Sequence, residues 1–122
     1  MAEASLRYRP VVLVVEDEPL ILMVALDFAT DAGFEAIGAA NADAAIRILE
    51  SQNDISIVFT DVHMPGSMDG VKLAHAVRGR WPPIKLIVTS ALGNHVLPPG
   101  SVFLSKPYNS VQVSKALQDL AA

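Results

Sequence analysis

Three consecutive acids, Glu16, Asp17 and Glu18, follow the aliphatic run VVLVV at residues 11–15 and are closed by Pro19. Valine and leucine favour burial, whereas clustered carboxylates need water or a cation. Other apolar runs end in the same abrupt way: ISIVFT delivers Asp61, IKLIVT delivers Ser90, and VFLS precedes Lys106. Taken singly, each has an ordinary explanation. The acids suit the positive end of a following helix, Asp61 suits a turn, Ser90 a cap, and Lys106 a solvated surface. Their coincidence argues otherwise, because in an open parallel sheet ligands bind beyond the carboxyl ends of the strands. Carboxylates, a hydroxyl and an ammonium on that rim would make a site for a cation and an anionic group.

The elements that must position these residues follow from periodicity. Short aliphatic runs alternate with longer segments of helical spacing, the pattern of repeated βα units in an α/β fold with a parallel sheet and right-handed crossovers. Strands are expected at about residues 11–15, 34–38, 55–60, 84–89 and 101–104. The first helix runs from Pro19 to about Ala32 and stops at Gly33. Asn41 caps a second helix reaching about Ser51, Asp69 caps a third reaching about Arg80, and Asn109 with Gln112 resembles a capping box for the last. One unit is abnormal. Only residues 91–100 separate the fourth and fifth strands, close to the ~10–12 residue minimum for a parallel crossover, and they include Gly93, Pro98 and Pro99. The fourth helix is expected to be short or absent.

Composition narrows the functional classes. A chain of 122 residues suits one core, and with 6% aromatic residues that core must be aliphatic. A net charge of −4 without a basic cluster argues against direct binding of nucleic acid. Without Cys, thiolate metal sites, thiol nucleophiles and disulfides are excluded, which is compatible with the cytoplasm. No apolar run approaches the ~20 residues that span a bilayer, so membrane insertion is not expected. The sequence reads as a stand-alone protein, with residues 1–9 an N-terminal extension and 10–122 the domain.

Four stretches, VLVVEDEP, FTDVHMPGSMDG, IVTSA and FLSKPY, resemble in order and spacing the signature segments of two-component response-regulator receiver domains. The resemblance covers about residues 10–120. It implies a flavodoxin-like, doubly wound sheet of five parallel strands in the order 2-1-3-4-5. It also implies roles: Asp61 as phosphoacceptor, Asp17 as a direct Mg2+ ligand assisted by Glu16, the backbone carbonyl of His63 as a further ligand, Lys106 as the phosphoryl contact, and Ser90 with Phe103 as the switch pair. The chemistry is coherent. An aspartate that accepts a phosphoryl group brings negative charge into an acidic pocket, which Mg2+ and a lysine ammonium offset. A histidine kinase or phosphotransfer protein would be the donor, and a downstream protein the target.

Three departures from the family pattern are visible. The loop MPGSMDG is one residue longer than the common form. His63 and Leu92 fill the positions that tune acyl-phosphate lifetime, and neither offers a carboxylate or amide to orient water. The shortened fourth crossover alters a face often used for output. His75 reads as a helix-surface residue, and His95 has no assigned role. A haloacid-dehalogenase-like phosphatase is the enzymatic alternative; it needs a second Asp two residues after the nucleophile, where this chain has His63. A flavodoxin-like cofactor module needs a phosphate loop after the first strand, where EDEP would repel the ligand.

Overall fold

The aliphatic run VVLVV forms β1 (Val11–Val15), and every one of its residues is buried, as expected for a strand covered on both faces. The computed structural model describes residues 9–64, 66 and 68–122. Among them β1 is followed by α1 (Pro19–Asp31), β2 (Glu35–Ala39), α2 (Ala42–Ser51), β3 (Ile55–Asp61), α3 (Gly70–Arg80), β4 (Lys85–Ser90), β5 (Val102–Ser105) and α4 (Ser110–Ala121). The strands pair in parallel in the order β2-β1-β3-β4-β5. This is the expected flavodoxin-like α/β sheet, with chain order reversing between β1 and β3.

Alternation of side chains along the strands sends them into two layers. Leu13, Val15, Val58, Leu86 and Val88 pack with Ala45, Leu49, Leu73 and Val77 of α2 and α3. Val12, Val14, Ile57, Phe59 and Ile87 pack with Ala25, Ala29, Val113 and Leu117 of α1 and α4. The helix starts are fixed by local chemistry. Asn41 accepts from the Ala44 amide, Asp69 from the Lys72 amide, and Asn109 and Gln112 form a reciprocal capping box. Pro19 opens α1, and Gly33 follows it at φ 97°, a left-handed conformation that glycine adopts without strain.

Three strands sit one residue later than periodicity suggests: β2, β4 and β5 begin at Glu35, Lys85 and Val102 and end at Ala39, Ser90 and Ser105. β3 likewise reaches Asp61, and α1 stops at Asp31 with Ala32 as its cap. The reason is the hydrogen-bond ladder, which continues past the apolar runs. The Val62 amide donates to Thr89 O at 3.0 Å and the Lys106 amide to Ser90 O at 2.9 Å. Asp61 and Ser90 are therefore residues of the sheet rather than of the loops beyond it.

The fourth crossover, residues 91–101, contains no helix among its described residues. It is held against the domain instead. His75 of α3 lies 3.0 Å through Nε2 from Val96 O, and the Arg78 guanidinium donates to Pro99 O. Ser101 Oγ donates to Pro98 O at 2.7 Å, Pro98 is buried, and Leu97 packs on the α2/α3 layer. Of the expected N-terminal extension only Arg9 is described, and within the MPGSMDG loop Pro65 and Ser67 lie outside the described residues.

Candidate functional site

Glu16 continues directly from β1, its amide donating to Ala39 O at 3.0 Å. That bond turns its side chain inward at the carboxyl edge of the sheet, where it is 3% exposed. Glu18 occupies the cap position of α1, but its side chain makes no capping bond; its amide donates to Glu16 Oε2 at 3.1 Å. The helix-end role of the acidic run thus falls on Glu16 alone. Asp17, between them, is half-buried.

Asp61 ends β3 and is 5% exposed. The next helix begins immediately beside it. Gly70 donates its amide to Val62 O at 2.9 Å, and a Cβ at position 70 would lie 1.8 Å from Asp61 O, far inside van der Waals contact. Only glycine permits this approach, a constraint that periodicity did not reveal although Gly70 stands in the MPGSMDG stretch. Lys106, past the end of β5, reaches back across the edge. Its Nζ lies 3.1 Å from Asp61 Oδ2 and 3.2 Å from Glu16 Oε1. The peptide bond that follows it, Lys106–Pro107, is cis.

Carboxylate oxygens of Glu16, Asp17 and Asp61 all lie within 4.8 Å of one another. One ammonium thus pairs with two of the three acids. Burial, the largest influence, pushes the Glu16 carboxyl above its ordinary range. The Glu18 amide opposes this, the charge of Asp61 adds to it, and Lys106 opposes it again. For Lys106 burial favours the neutral amine, but the hydrogen bond and charge of Asp61, followed by those of Glu16, outweigh it and raise its pKa. Tyr108, whose ring lies 5.5 Å from that of Phe59, has its hydroxyl pushed up to about 12 by burial and then by the charge of Glu16. It too borders the acidic cluster, a neighbourhood that no local sequence pattern reveals.

The remaining residues singled out in the sequence meet the fourth crossover. Ser90 is fully buried, with Oγ accepting from the Leu92 amide at 3.1 Å and lying 3.4 Å from His95 Nε2. Its neighbour Thr89 is also buried, and among the described residues Thr89 Oγ1 has no hydrogen-bond partner. Phe103 is half-buried in β5, with Cε2 3.7 Å from where a Cβ on Gly93 would stand. Leu92 is 61% exposed. His63 is exposed, its ring edge-on to that of His95 at 6.0 Å. Direct convergence is therefore seen for Glu16, Asp17, Asp61 and Lys106, while Ser90, Phe103, Leu92 and His63 surround the loop next to them.

An all-oxygen donor set with surplus negative charge suits a hard divalent cation, and its place beyond the strand ends is where a doubly wound sheet binds ligands. Fold and site together define a doubly wound α/β protein with an acidic, lysine-closed pocket at its carboxyl edge. Residues 12–118 match the response regulator receiver domain, and the chain belongs to that family. Among curated relatives, it is 32% identical over 117 residues to the response regulator protein FleR of Pseudomonas aeruginosa, covering 91% of this chain and 24% of that protein. It is 27% identical over 120 residues to the nitrogen assimilation regulatory protein NtrX of Azorhizobium caulinodans, covering 89% of this chain and 26% of that protein. The chain thus spans about a quarter of the length of these relatives. Among solved structures, a response regulator receiver protein from Sinorhizobium medicae superposes with a TM-score of 0.82 at 28% identity, covering 93% of this chain and 95% of that one. No described helix is long and apolar enough to cross a membrane.

Proposed function

We propose that the chain accepts a phosphoryl group on Asp61 from a histidine kinase or phosphotransfer protein, and then signals or relays the group through protein contacts. The observation that carries this reading is the double contact of Lys106 Nζ with Asp61 and Glu16 inside an oxygen-only cluster. Glu16, Asp17, Asp61 and the backbone carbonyl of His63 would hold Mg2+, which when bound supplies positive charge against the transferring group. An Asp61 carboxylate oxygen forms the new bond to phosphorus while the donor's bond to phosphorus breaks in line, leaving its electron pair on the donor nitrogen. Lys106 holds the nucleophile and offsets the charge that accumulates on the phosphoryl oxygens.

Ser90 and Phe103 are the proposed switch pair, the hydroxyl donating to a phosphoryl oxygen once Asp61 is modified and the ring moving with it. His63 and Leu92 carry no carboxylate or amide able to orient water, so the acyl phosphate is expected to be long-lived. The protein acts as a phosphoacceptor in the cytoplasm and turns over no independent substrate. It contacts proteins rather than nucleic acid, in keeping with its net charge of −4. The phosphatase alternative lacks the acid it needs, since the second residue after Asp61 is His63. Incubation with Mg2+ and a small acyl-phosphate donor is expected to add the mass of one phosphoryl group to the wild type and nothing to Asp61→Asn. Sustained hydrolysis of phosphate esters would overturn this reading in favour of the phosphatase.

A further inference from the structure

The hydroxyl of Ser90 is engaged before any phosphoryl group arrives. It accepts the Leu92 amide at 3.1 Å and lies 3.4 Å from His95 Nε2, and both partners belong to the fourth crossover. The half-buried His95 ring is backed by His63, edge-on at 6.0 Å. The crossover is tied in turn to α3 by His75 at Val96 O and by Arg78 at Pro99 O. A helix in this crossover would fix the segment through its own backbone. Here two side chains of α3 fix it, and one histidine of the loop turns back onto the hydroxyl.

We propose that His95 is a positioning residue that latches Ser90 in the resting conformation, so that the crossover sets how readily the switch hydroxyl is released. The inference rests on Ser90 being the switch under the function proposed above. A serine hydroxyl has one proton to donate. In the proposed latch that proton goes to His95 Nε2, the tautomer with the ring proton on Nδ1, so donating it to a phosphoryl oxygen instead requires a reorientation that gives up the contact. A contact made only at rest lowers the population of the active state, and with it the apparent affinity for any ligand that selects that state. At 3.4 Å the contact is at the weak end of hydrogen bonding. Its loss is therefore expected to change apparent affinity by roughly two- to five-fold.

The test uses Mg2+ with beryllofluoride as a phosphoryl mimic, titrated into the full chain and followed by the amide resonances of Ser90 and Leu92. His95→Ala is expected to bind the mimic roughly two- to five-fold more tightly than wild type, and its free-state resonances to move toward those of the saturated protein. His95→Gln, whose side-chain carbonyl oxygen can accept from the hydroxyl at similar reach, should restore wild-type behaviour. In a Ser90→Ala background His95→Ala should have no effect. Equal or weaker binding by His95→Ala, or an equal gain without the Ser90 hydroxyl, would overturn the latch while leaving the phosphoacceptor reading intact. A wild type that fails to bind the mimic would overturn both.

Discussion

Replacing Asp17 with Asn removes one charge from the acidic cluster at nearly constant volume, and the sign of the effect on stability should depend on Mg2+. The oxygens of Asp17, Glu16 and Asp61 lie within 4.8 Å of one another. At that distance a like-charged pair costs about 3.5 kcal/mol at an effective dielectric of about 20 and about 0.9 kcal/mol in bulk water. Asp17 is half-buried, so its surroundings fall between these limits, and Lys106 returns part of the cost. A net penalty of about 1–2 kcal/mol is expected for the ionised Asp17 in the metal-free protein. In chelator, Asp17→Asn should therefore melt higher, by about 4 °C for each kcal/mol in a domain of this size. In Mg2+ the order should invert. A ligand at a hundred times its dissociation constant stabilises by about 2.7 kcal/mol, and the variant, lacking a ligand oxygen of full charge, should gain little of this. Thermal melts of both proteins in chelator and across an Mg2+ series provide the assay. A variant less stable than wild type in chelator would refute the repulsion argument, and equal Mg2+-dependent gains would refute Asp17 as a ligand.

Gly70→Ala should destabilise by about 3 kcal/mol, because its Cβ would stand 1.8 Å from Asp61 O; a loss below about 1 kcal/mol in urea denaturation would contradict the close approach. Glu16, whose folded pKa is raised above its ordinary 4.5, holds its proton in the native state to higher pH than in the unfolded chain. Metal-free stability should therefore fall as pH rises from 4.5 through the folded value, and Glu16→Gln should remove that component of the slope; an unchanged slope would contradict it. The raised pKa of Lys106 works at the other end. Its contribution is fully present below 10.5 and is lost as pH climbs through the folded value, a loss that Lys106→Met should not show. Thr89→Val removes a buried hydroxyl with no partner among the described residues, so urea denaturation should find it neutral or stabilised by up to about 1 kcal/mol. A loss larger than that would indicate a bound water at Thr89 Oγ1.

What was legible in the amino-acid order is what local chemistry decides. An unbroken aliphatic run such as VVLVV buries all of its residues in a parallel sheet, and Asn41, Asp69 and the Asn109/Gln112 pair cap the helices they precede because a side-chain oxygen three residues from an orphan amide satisfies it. The weak fourth crossover was readable from Gly93, Pro98 and Pro99. Strand ends differ by a residue at β2, β4 and β5, since pairing sets them: Ala39 pairs with Val15, and Ser90 and Ser105, beyond the apolar stretches, pair with each other. The order of the strands came from the family resemblance, as periodicity alone does not set neighbours.

Within the site, Glu16, Asp17, Asp61 and Lys106 announced themselves as charges at the ends of hydrocarbon. Gly70 did not, because its constraint is the distance between a helix start and a strand end. His75 is exposed, as expected of a helix-surface residue, yet it also holds Val96 O. The approach of His95 to Ser90 depends on how the crossover is tied to α3 by His75 and Arg78, which no local pattern encodes.

The central claim is that Asp61 carries the acyl phosphate, and trapping that bond chemically tests it most directly. After incubation with Mg2+ and a small acyl-phosphate donor, borohydride reduction should convert the phosphorylated aspartate to homoserine, and peptide mapping should find the new residue at position 61. Homoserine at any other aspartate, or an unaltered Asp61 in protein that has taken up the phosphoryl group, would contradict the account.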